Sequence, residues 1–268
     1  MKYGFIGTGC MGGALATACA KAIGPEDILL SNRSPEKAQA LAEKLGAIPA
    51  DNETITRDCD VIFLGVKPQT MAQMLLPLQP ILTGRRTPFV LVSMAAGVTI
   101  EALQDMAGGR YPIVRIMPNT ACAVGAGMTT YTCSAEVTDR QRQAVLDALA
   151  ASGLLEEIEE GLMGAASAVA GCGGAYVCLF LEGLTDGGVL CGLPRKKAQR
   201  MAAQMLLGMA TQTLESDEHT GALKDAVCSP AGSTIAGIRK LESMSFRSAA
   251  MEAVIAAWER EREMQQQK

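Results

Sequence analysis

A glycine-rich turn close to the start of the chain constrains the fold more than any other feature. Gly7, Gly9 and Gly12 follow a short apolar segment and open a segment of helical pattern. In a G-x-G-x-x-G turn, the first glycine permits the tight bend, the second lets the backbone approach a pyrophosphate, and the third lets helix and strand pack closely. N–H groups at the start of the helix attract phosphate oxygens. The turn therefore predicts a strand–turn–helix unit that binds a dinucleotide.

Strand-like and helix-like segments alternate through the first 160 residues. Five short apolar runs bounded by polar or turn residues predict buried parallel strands. These runs are Lys2–Gly7, Ile28–Asn32, Val61–Val66, Phe89–Ser93 and Ile113–Met117. The alternation predicts the α/β fold class, with an N-terminal Rossmann domain built on a doubly wound, mainly parallel sheet.

Two helix starts in this half carry capping signals. Ser34-Pro35-Glu36 has the residue order of an N-cap followed by the first helical positions, and it predicts a helix to about Leu45. Thr138 with Gln141 three residues later has the spacing of a capping box and predicts a helix to about Ser152.

The pattern becomes helical after about Gly161. Helices are predicted for about Arg195–Leu214, Ser233–Met244 and Phe246–Gln267. The predicted domains are therefore residues 1–160, the dinucleotide-binding domain, and residues 161–268, an all-α domain. The uncharged stretch Leu162–Leu181 is long enough to span a bilayer, but its small residues and lack of positive anchors favour a buried helical region in a soluble protein, without a membrane.

Charge and cysteine usage exclude several classes of partner. The net charge is -4 and no basic face is evident, so nucleic acid is not expected to bind. The nine cysteines form no C-x-x-C pair and His219 is the single histidine, so we expect no metal site. No charged-then-apolar leader precedes the first strand, which predicts a cytoplasmic protein with reduced thiols.

The end of the second predicted strand favours NADPH, with NADH as the weaker alternative. An NAD enzyme usually has Asp or Glu there for the ribose diol. This chain has Ser31, Asn32, Arg33 and Ser34 instead, which leaves no carboxylate to repel a 2′-phosphate and offers a guanidinium and two hydroxyls to bind one. The alternative for Arg33 is a solvated surface charge.

Three further strand ends are candidates for the nicotinamide pocket. Val66-Lys67-Pro68, Ser93–Gly97 and Met117–Thr120 each follow a predicted strand with small or polar residues. Ligands of open α/β sheets lie outside the carboxyl ends of the strands. Each of these loops is also compatible with an ordinary turn.

Several of these segments together resemble the pyrroline-5-carboxylate reductase family along nearly the whole chain. The resemblance rests on Phe5–Gly9, Val66–Pro68, Ala95–Ile100 and Met117–Thr120, and most specifically on the segment Leu223–Ile235. It implies NADPH-dependent reduction of L-1-pyrroline-5-carboxylate to L-proline. It also implies a homodimer formed through the C-terminal helices, and larger rings of dimers occur in the family.

The resemblance further implies which positions act. The positions implied for the cofactor, taken with the glycine turn and the second strand end, are Ile6, Gly7, Thr8, Gly9, Cys10, Met11, Gly12, Asn32, Arg33, Ser34, Asn52, Val66, Lys67, Pro68, Ala95 and Ala96. Those implied for the substrate are Ser229, Ala231, Gly232, Ser233, Thr234 and Glu160, with Thr234 and Ser229 closest to the chemistry. Ala226 and Gly174 depart from the residues that members often carry there.

The Ser229–Thr234 segment also has a physical reason to hold a small anion. Pro230 and Gly232 predict a turn, and Ser233-Thr234 begin a helix whose N–H groups can bind a carboxylate. The Thr234 hydroxyl can bond the ring nitrogen. A protonated imine is already electrophilic, so position and charge placement should dominate over acid–base catalysis. An ordinary Ser/Thr N-cap after a proline turn is the alternative.

Three other functions remain open from the residues. A β-hydroxyacid dehydrogenase, or another imine reductase, would have the same two-domain plan. The first needs a lysine on the interdomain helix for proton transfer, and no lysine lies between Lys67 and Lys196. A non-catalytic NADPH-binding regulator would bind the cofactor tightly without turning over any cyclic imine.

Overall fold

The computed structural model describes residues 1–266, with the side chains of residues 1–263. The strands are β1 Tyr3–Ile6, β2 Ile28–Ser31, β3 Ile48–Pro49, β4 Val61–Leu64, β5 Val90–Ser93, β6 Ile113–Met117, β7 Gly127–Cys133 and β8 Gly153–Glu157. The helices are α1 Cys10–Ile23, α2 Pro35–Leu45, α3 Asn52–Asp58, α4 Pro68–Leu75, α5 Gln79–Gly84, α6 Ile100–Ala107, α7 Asp139–Leu149, α8 Met163–Ala166, α9 Gly173–Leu190, α10 Arg195–Glu215, α11 Thr220–Ala226, α12 Ser233–Ser243 and α13 Phe246–Gln266.

The strands form one sheet in the order β3-β2-β1-β4-β5-β6-β7-β8. The β6–β7 pair is antiparallel and the other pairs are parallel. This order reverses beside β1, so the loops after β1, β2, β4 and β5 open on the same edge. The predicted fold class, a doubly wound and mainly parallel sheet followed by helices, is confirmed.

All five predicted strands are present, shorter than predicted by up to two residues, but β3, β7 and β8 were not predicted. β3 has two residues, too few for a periodic signal. The threonines of β7 make it more polar than a buried parallel strand. β8 is the edge strand, and three of its five residues are exposed, including Glu156 and Glu157, so it lacks the apolar run on which the prediction relied.

The strands β1, β2, β4, β5 and β6 are buried on both faces because their side chains alternate between two layers of helices. Phe5 of β1 and Phe63 of β4 stack on one face with ring centroids 4.3 Å apart, in a cluster with residues of α1 and α7. Ile6 and Leu64, one position further along, join α4 and α6 on the other face. Helix burial on both sides fixes the sheet and holds its strand-end loops in place.

The capping predictions hold to different degrees. Helix α7 begins with the predicted capping box: Thr138 Oγ1 accepts the Gln141 N–H at 3.3 Å, and Gln141 Oε1 accepts the Thr138 N–H at 2.9 Å. Helix α2 begins after Ser34 with Pro35 in its first turn, but the Ser34 side chain makes no capping bond. The hydroxyl at the start of α2 is therefore not used by its own helix.

The chain divides into two compact units. The first comprises residues 1–172 and the C-terminal end from Ala257, and the second comprises residues 173–256. The predicted domain boundary near residue 160 stays a prediction. The three predicted C-terminal helices correspond to α10, α12 and α13; the last residue predicted for α13, Gln267, lies outside the described residues.

One helical stretch of the described chain, Glu160–Leu190, is long and apolar enough to cross a membrane, with a mean hydropathy of 1.6. It includes the segment Leu162–Leu181, which we predicted to be a buried helical region. That prediction is wrong for the single chain, because only 11% of the most apolar window is buried. In α9, Val177 and Leu179 are exposed and Thr185 alone is buried. The apolar residues of this helix lack a protein cover in the single chain.

Candidate functional site

The glycine turn forms a tight cradle between β1 and α1. Gly7 has φ +98°, a conformation that L side chains rarely adopt. A Cβ on Gly12 would lie 2.1 Å from the Gly7 carbonyl oxygen, whereas a Cβ on Gly9 would meet no atom within 4 Å. Gly7 and Gly12 are therefore needed for the fold of the turn, and Gly9 leaves open space above it.

Helix α1 presents an uncapped N-terminus to that open space. Its N-cap residue, Gly9, has no side chain, and its first turn contains no acidic residue. The first N–H groups of a helix have no intrahelical acceptor, so those of Cys10 and Met11 are available to an anion. Beside them, the Thr8 hydroxyl is buried and has no hydrogen-bond partner among the described residues. The cradle fits a pyrophosphate by shape, by dipole and by free donors.

A cleft of about 890 Å³ lies beyond the end of β2. Asn32 and Asn52 line it, together with Ser31, the last residue of β2. The Ser31 hydroxyl donates to Asn52 Oδ1. The amide nitrogen of Asn52 has no acceptor among the residues that the structure describes, so its donors are left for a ligand.

Arg33 is exposed and does not line this cleft. No described carboxylate pairs with it, so its guanidinium is free to reach a phosphate. The lining also includes the carboxylates of Glu36, Asp51 and Glu53. Asp51 is engaged elsewhere, because it caps α3 by accepting the Thr54 N–H at 2.7 Å, and that backbone bond lowers the pKa of its carboxyl.

Two more of the predicted cofactor segments lie at neighbouring strand ends. The Gly65 N–H donates to the Ile6 carbonyl at 2.8 Å, which places the loop after β4 beside the cradle. Lys67 follows as the exposed N-cap of α4, with Pro68 as its first residue. After β5, Ala95 is buried and its N–H donates to Ser93 Oγ at 3.3 Å, while Ala96 is exposed.

Glu160 is bound to two groups of the first unit. Its Oε1 accepts from Arg115 Nη1 at 3.0 Å and from the Ile100 N–H at 2.7 Å. Arg115 lies in β6 and is 2% exposed. Glu160, which the family resemblance placed near the substrate, thus has one carboxylate oxygen committed to the protein.

The predicted substrate segment forms a β-turn and a helix start in the second unit. The Gly232 N–H donates to the Ser229 carbonyl at 3.0 Å across Pro230 and Ala231. Ala231 has φ +57°, the left-handed value that type II turns require at their third position and that glycine adopts at least cost. Non-glycine residues in that region are strained, and such strain collects at functional sites.

Helix α12 starts directly after this turn. Gly232 is its N-cap, with no side-chain capping bond and no acidic residue in the first turn. Ser233 and Thr234 are the first helical residues and both are exposed. Among the described residues no side chain caps this start, so its first N–H groups are available to a small anionic ligand beside the two hydroxyls.

Sequence reasoning missed two residues that shape the site. Gly65 packs against the cradle, since a Cβ there would lie 2.3 Å from the Gly7 carbonyl oxygen; its signal was a glycine placed directly after an apolar strand. Arg115 was signalled by a lone charge within the apolar run Ile113–Met117. The hydroxyl of Ser31 was predicted as a candidate at this strand end, but its bond to Asn52 had no local signal, because the two residues lie 21 positions apart.

Groups of three or more His, Cys, Asp or Glu side chains that could hold a metal ion are absent among the described residues. Burial raises the pKa of the Cys19 and Cys59 thiols to about 12, so neither ionises near neutral pH.

Comparisons with known proteins agree with this arrangement. A family model described as pyrroline-5-carboxylate reductase dimerisation matches residues 160–264, and one described as NADP oxidoreductase, coenzyme F420-dependent, matches residues 2–97. The chain is 38% identical to pyrroline-5-carboxylate reductase of Escherichia coli strain K12, with 97% of this chain and 96% of the relative covered. It is also 38% identical to the reductase of Methanosarcina acetivorans, covering 98% and 97%.

A solved structure is similar over the same length. The crystal structure of Plasmodium falciparum pyrroline carboxylate reductase with NADP bound superposes with a TM-score of 0.87 at 35% sequence identity, covering 99% of this chain and 98% of that one. The similarity therefore extends over both units, and it includes a protein that binds NADP.

Proposed function

This chain belongs to the pyrroline-5-carboxylate reductase family, and we infer that it reduces L-1-pyrroline-5-carboxylate to L-proline with NADPH. The observation that carries this function is the match to reductases of that name over nearly the whole chain, in both the dinucleotide half and the helical half. The β-hydroxyacid dehydrogenase and the idle regulator are not favoured, because the relatives that match over nearly the whole chain are named as pyrroline-5-carboxylate reductases.

The first unit supplies the residues that would hold the cofactor. We assign the pyrophosphate to the cradle formed by Gly7, Gly9 and Gly12. The N–H groups at the start of α1 and the Thr8 hydroxyl are available there as donors to an anion. When bound, NADPH supplies the hydride that the cyclic imine accepts. The loops after β4 and β5, which carry Val66-Lys67-Pro68 and Ala95-Ala96, are assigned to its nicotinamide half.

Asn52 and its neighbours support the selection of NADPH over NADH. Because the Asn52 carbonyl is occupied by the Ser31 hydroxyl, the amide presents donors, which match a phosphate rather than a diol. Asn32 and Ser34 lie at the same strand end, and Arg33 is free to add charge. We propose that these residues together bind the 2′-phosphate.

The second unit supplies the residues assigned to the substrate. The turn from Ser229 to Gly232 exposes the uncapped start of α12, which suits the substrate carboxylate. The Thr234 hydroxyl is placed in the first turn of that helix and is assigned a hydrogen bond to the ring nitrogen. Because the protonated imine is already electrophilic, these residues act by binding and orienting it.

Substitution of Thr234 tests this assignment. We expect Thr234→Ala to lower kcat/KM by roughly tenfold to a hundredfold, the scale of one hydrogen bond to a charged group. Thr234→Ser keeps the hydroxyl and should retain most of the activity. Steady-state kinetics with both substrates measure the effect, and unchanged kinetics in Thr234→Ala would remove this hydroxyl from the reaction.

We propose that the protein is a homodimer formed through its C-terminal helices, with larger rings of dimers as a further step, and that it works in the cytoplasm. Support for the dimer comes from the dimerisation model that matches residues 160–264 and from the exposed apolar residues of α9 and α10. Support for the cytoplasm comes from nine cysteines that are all free thiols, as expected in a reducing compartment.

One assay tests the function as a whole. Purified protein is mixed with NADPH, and loss of NADPH absorbance is followed after addition of pyrroline-5-carboxylate. We expect rapid oxidation of NADPH, slower oxidation of NADH, and formation of proline in equal amount to the NADPH consumed. Tight binding of NADPH with no consumption of the imine would instead identify the idle regulator.

A further inference from the structure

Arg115 is a cation built into the sheet. It lies in the middle of β6, between Val114 and Ile116, and 2% of its surface is exposed. A buried guanidinium is costly unless it is paired and hydrogen-bonded. The Glu160 carboxylate, at 3.0 Å from Arg115 Nη1, provides that pairing.

The same Glu160 oxygen has a second partner on another element. It accepts the N–H of Ile100, the first residue of α6, at 2.7 Å. The N–H groups in the first turn of a helix lack intrahelical acceptors, and a carboxylate there is also favoured by the helix dipole. Arg115 thus fixes Glu160, and Glu160 fixes the start of α6.

The start of α6 sets the position of a functional loop. Residues 94–99 connect β5 to α6 and include Ala95 and Ala96, which we assigned to the cofactor. Other hydrogen bonds of this loop are longer: Thr99 accepts the Leu103 N–H at 3.0 Å and the Ala102 N–H at 3.2 Å, and the Ala95 N–H donates to Ser93 at 3.3 Å. The bond from Ile100 to Glu160 is therefore the shortest tether of the loop at its helical end.

We propose that Arg115 and Glu160 are a positioning pair that holds the 94–99 loop where the nicotinamide half of the cofactor binds. This assignment rests on the proposed function, and it differs from a direct contact between Glu160 and the substrate. β5 lies on the other side of β1 from β2, the strand whose end we assigned to the adenosine half. Loss of the pair should therefore disturb one half of the cofactor and spare the other.

The test compares three variants with the wild type. Glu160→Gln keeps an acceptor for the Ile100 N–H. Glu160→Ala removes it and leaves Arg115 buried without its partner, which threatens folding. The double variant Arg115→Met with Glu160→Leu removes both charges together, which folded proteins tolerate, while still removing the tether.

Binding and kinetics are measured separately. The probes are NADP⁺, which carries the nicotinamide, and 2′-phosphoadenosine 5′-phosphate, which does not. In the double variant we expect kcat to fall roughly tenfold to a hundredfold and NADP⁺ to bind about tenfold more weakly. Binding of the adenosine probe and the KM for pyrroline-5-carboxylate should stay within about twofold, and Glu160→Gln should retain most of the activity.

Each other outcome overturns the proposal. A raised KM for the imine at unchanged kcat would indicate that Glu160 contacts the substrate directly. If NADP⁺ and the adenosine probe both bind more weakly by the same factor, the pair contributes only to the general stability of the fold. If binding and kinetics are both unchanged, the pair has no role in positioning the loop. If the wild type does not reduce the imine, the proposed function fails, but the two binding measurements still decide the role of the pair.

Discussion

At the residue scale, the glycines of the cradle have two different physical roles. Gly12 has no room for a side chain, because a Cβ there would lie 2.1 Å from the Gly7 carbonyl oxygen. Gly9 has φ −69° and ψ −165°, which any residue can adopt, and open space around it. The fold therefore requires the glycine at 12, whereas the fold leaves position 9 free, and we propose that the cofactor requires the glycine there.

This difference predicts opposite effects of two alanine substitutions. Gly12→Ala should destabilise the protein by roughly 1–3 kcal/mol, because the backbone must move to admit the methyl group. Gly9→Ala should leave stability unchanged and weaken NADP⁺ roughly tenfold or more by intruding where the pyrophosphate lies. Denaturant unfolding and equilibrium titration of NADP⁺ measure the two effects. Equal loss of stability in both variants would contradict the division of roles.

Ser31 predicts a selective effect on the cofactor. Its hydroxyl orients the Asn52 amide, so Ser31→Ala should free that amide to turn and raise the KM for NADPH roughly tenfold. The KM for NADH should change little, because NADH has no 2′-phosphate. Ser31→Thr keeps the hydroxyl on a strand that accepts β-branched residues and serves as the control. If the KM values for NADPH and NADH rise by the same factor, Ser31 has only a structural role.

At the scale of elements, hydrophobic periodicity and glycine spacing predicted those features that depend on residues close together in the chain. The sequence shows the strands Tyr3–Ile6 and Val61–Leu64 because an apolar run is what buries a strand. It shows the capping box of α7 because the residue spacing itself makes the bonds. The edge strand β8 and the Arg115–Glu160 pair depend on contacts between residues far apart in the chain. The pair joins residues 45 positions apart, which no local pattern records.

The turn before α12 shows a further limit of sequence reasoning. Pro230 and Gly232 predicted a turn at Ser229–Thr234, and the turn is present. The positive φ falls on Ala231 and not on the glycine beside it. Gly232 instead packs against Ser229, since a Cβ on it would lie 2.4 Å from the Ser229 hydroxyl oxygen. A positive φ and a lack of space for a Cβ both favour glycine. The structure shows that the positive φ is at Ala231 and the lack of space is at Gly232.

Helix α13 carries a carboxyl that predicts a pH-dependent stability. Burial raises the pKa of Glu261, opposed by a hydrogen bond with Ser167 and by the charge of Arg115. The charged groups that share its cleft are Arg115, Glu160 and Arg262. A raised carboxyl pKa means that the folded state holds the proton more tightly than the unfolded state, so the stabilising contribution is lost as pH rises above the usual value of 4.5.

Glu261→Gln should remove this loss. We expect the Tm of the variant, relative to the Tm of the wild type, to increase as the pH rises from about 5 to about 8. Glu263→Gln, at an exposed position on the same helix, is the matched control and should show no such gain. Thermal unfolding at several pH values measures the difference, and parallel curves for Glu261→Gln and wild type would contradict the burial of this charge.

At the scale of the whole molecule, the helical half has more apolar surface than one chain can cover. The exposed fractions of Met201 and Met205, one turn apart on α10, are 57% and 46%, and Val177 and Leu179 of α9 are also exposed. Monomeric proteins rarely expose apolar patches larger than a few hundred Å². The sequence predicted a buried helical region only for Leu162–Leu181, and it could not show whether the cover comes from the same chain, from a second copy or from lipid.

The proposed dimer predicts which of these covers is correct. The double variant Met201→Glu with Met205→Glu places two charges on one face of α10, and burying them against a partner is costly, so we expect a monomer with little activity. Met201→Leu with Met205→Leu keeps the apolar face and should stay dimeric. Sedimentation velocity gives the oligomeric state, and flotation with phospholipid vesicles detects membrane binding. A wild type that is monomeric and active, or one that floats with the vesicles, would contradict the dimer, because the apolar face would then be free or covered by lipid.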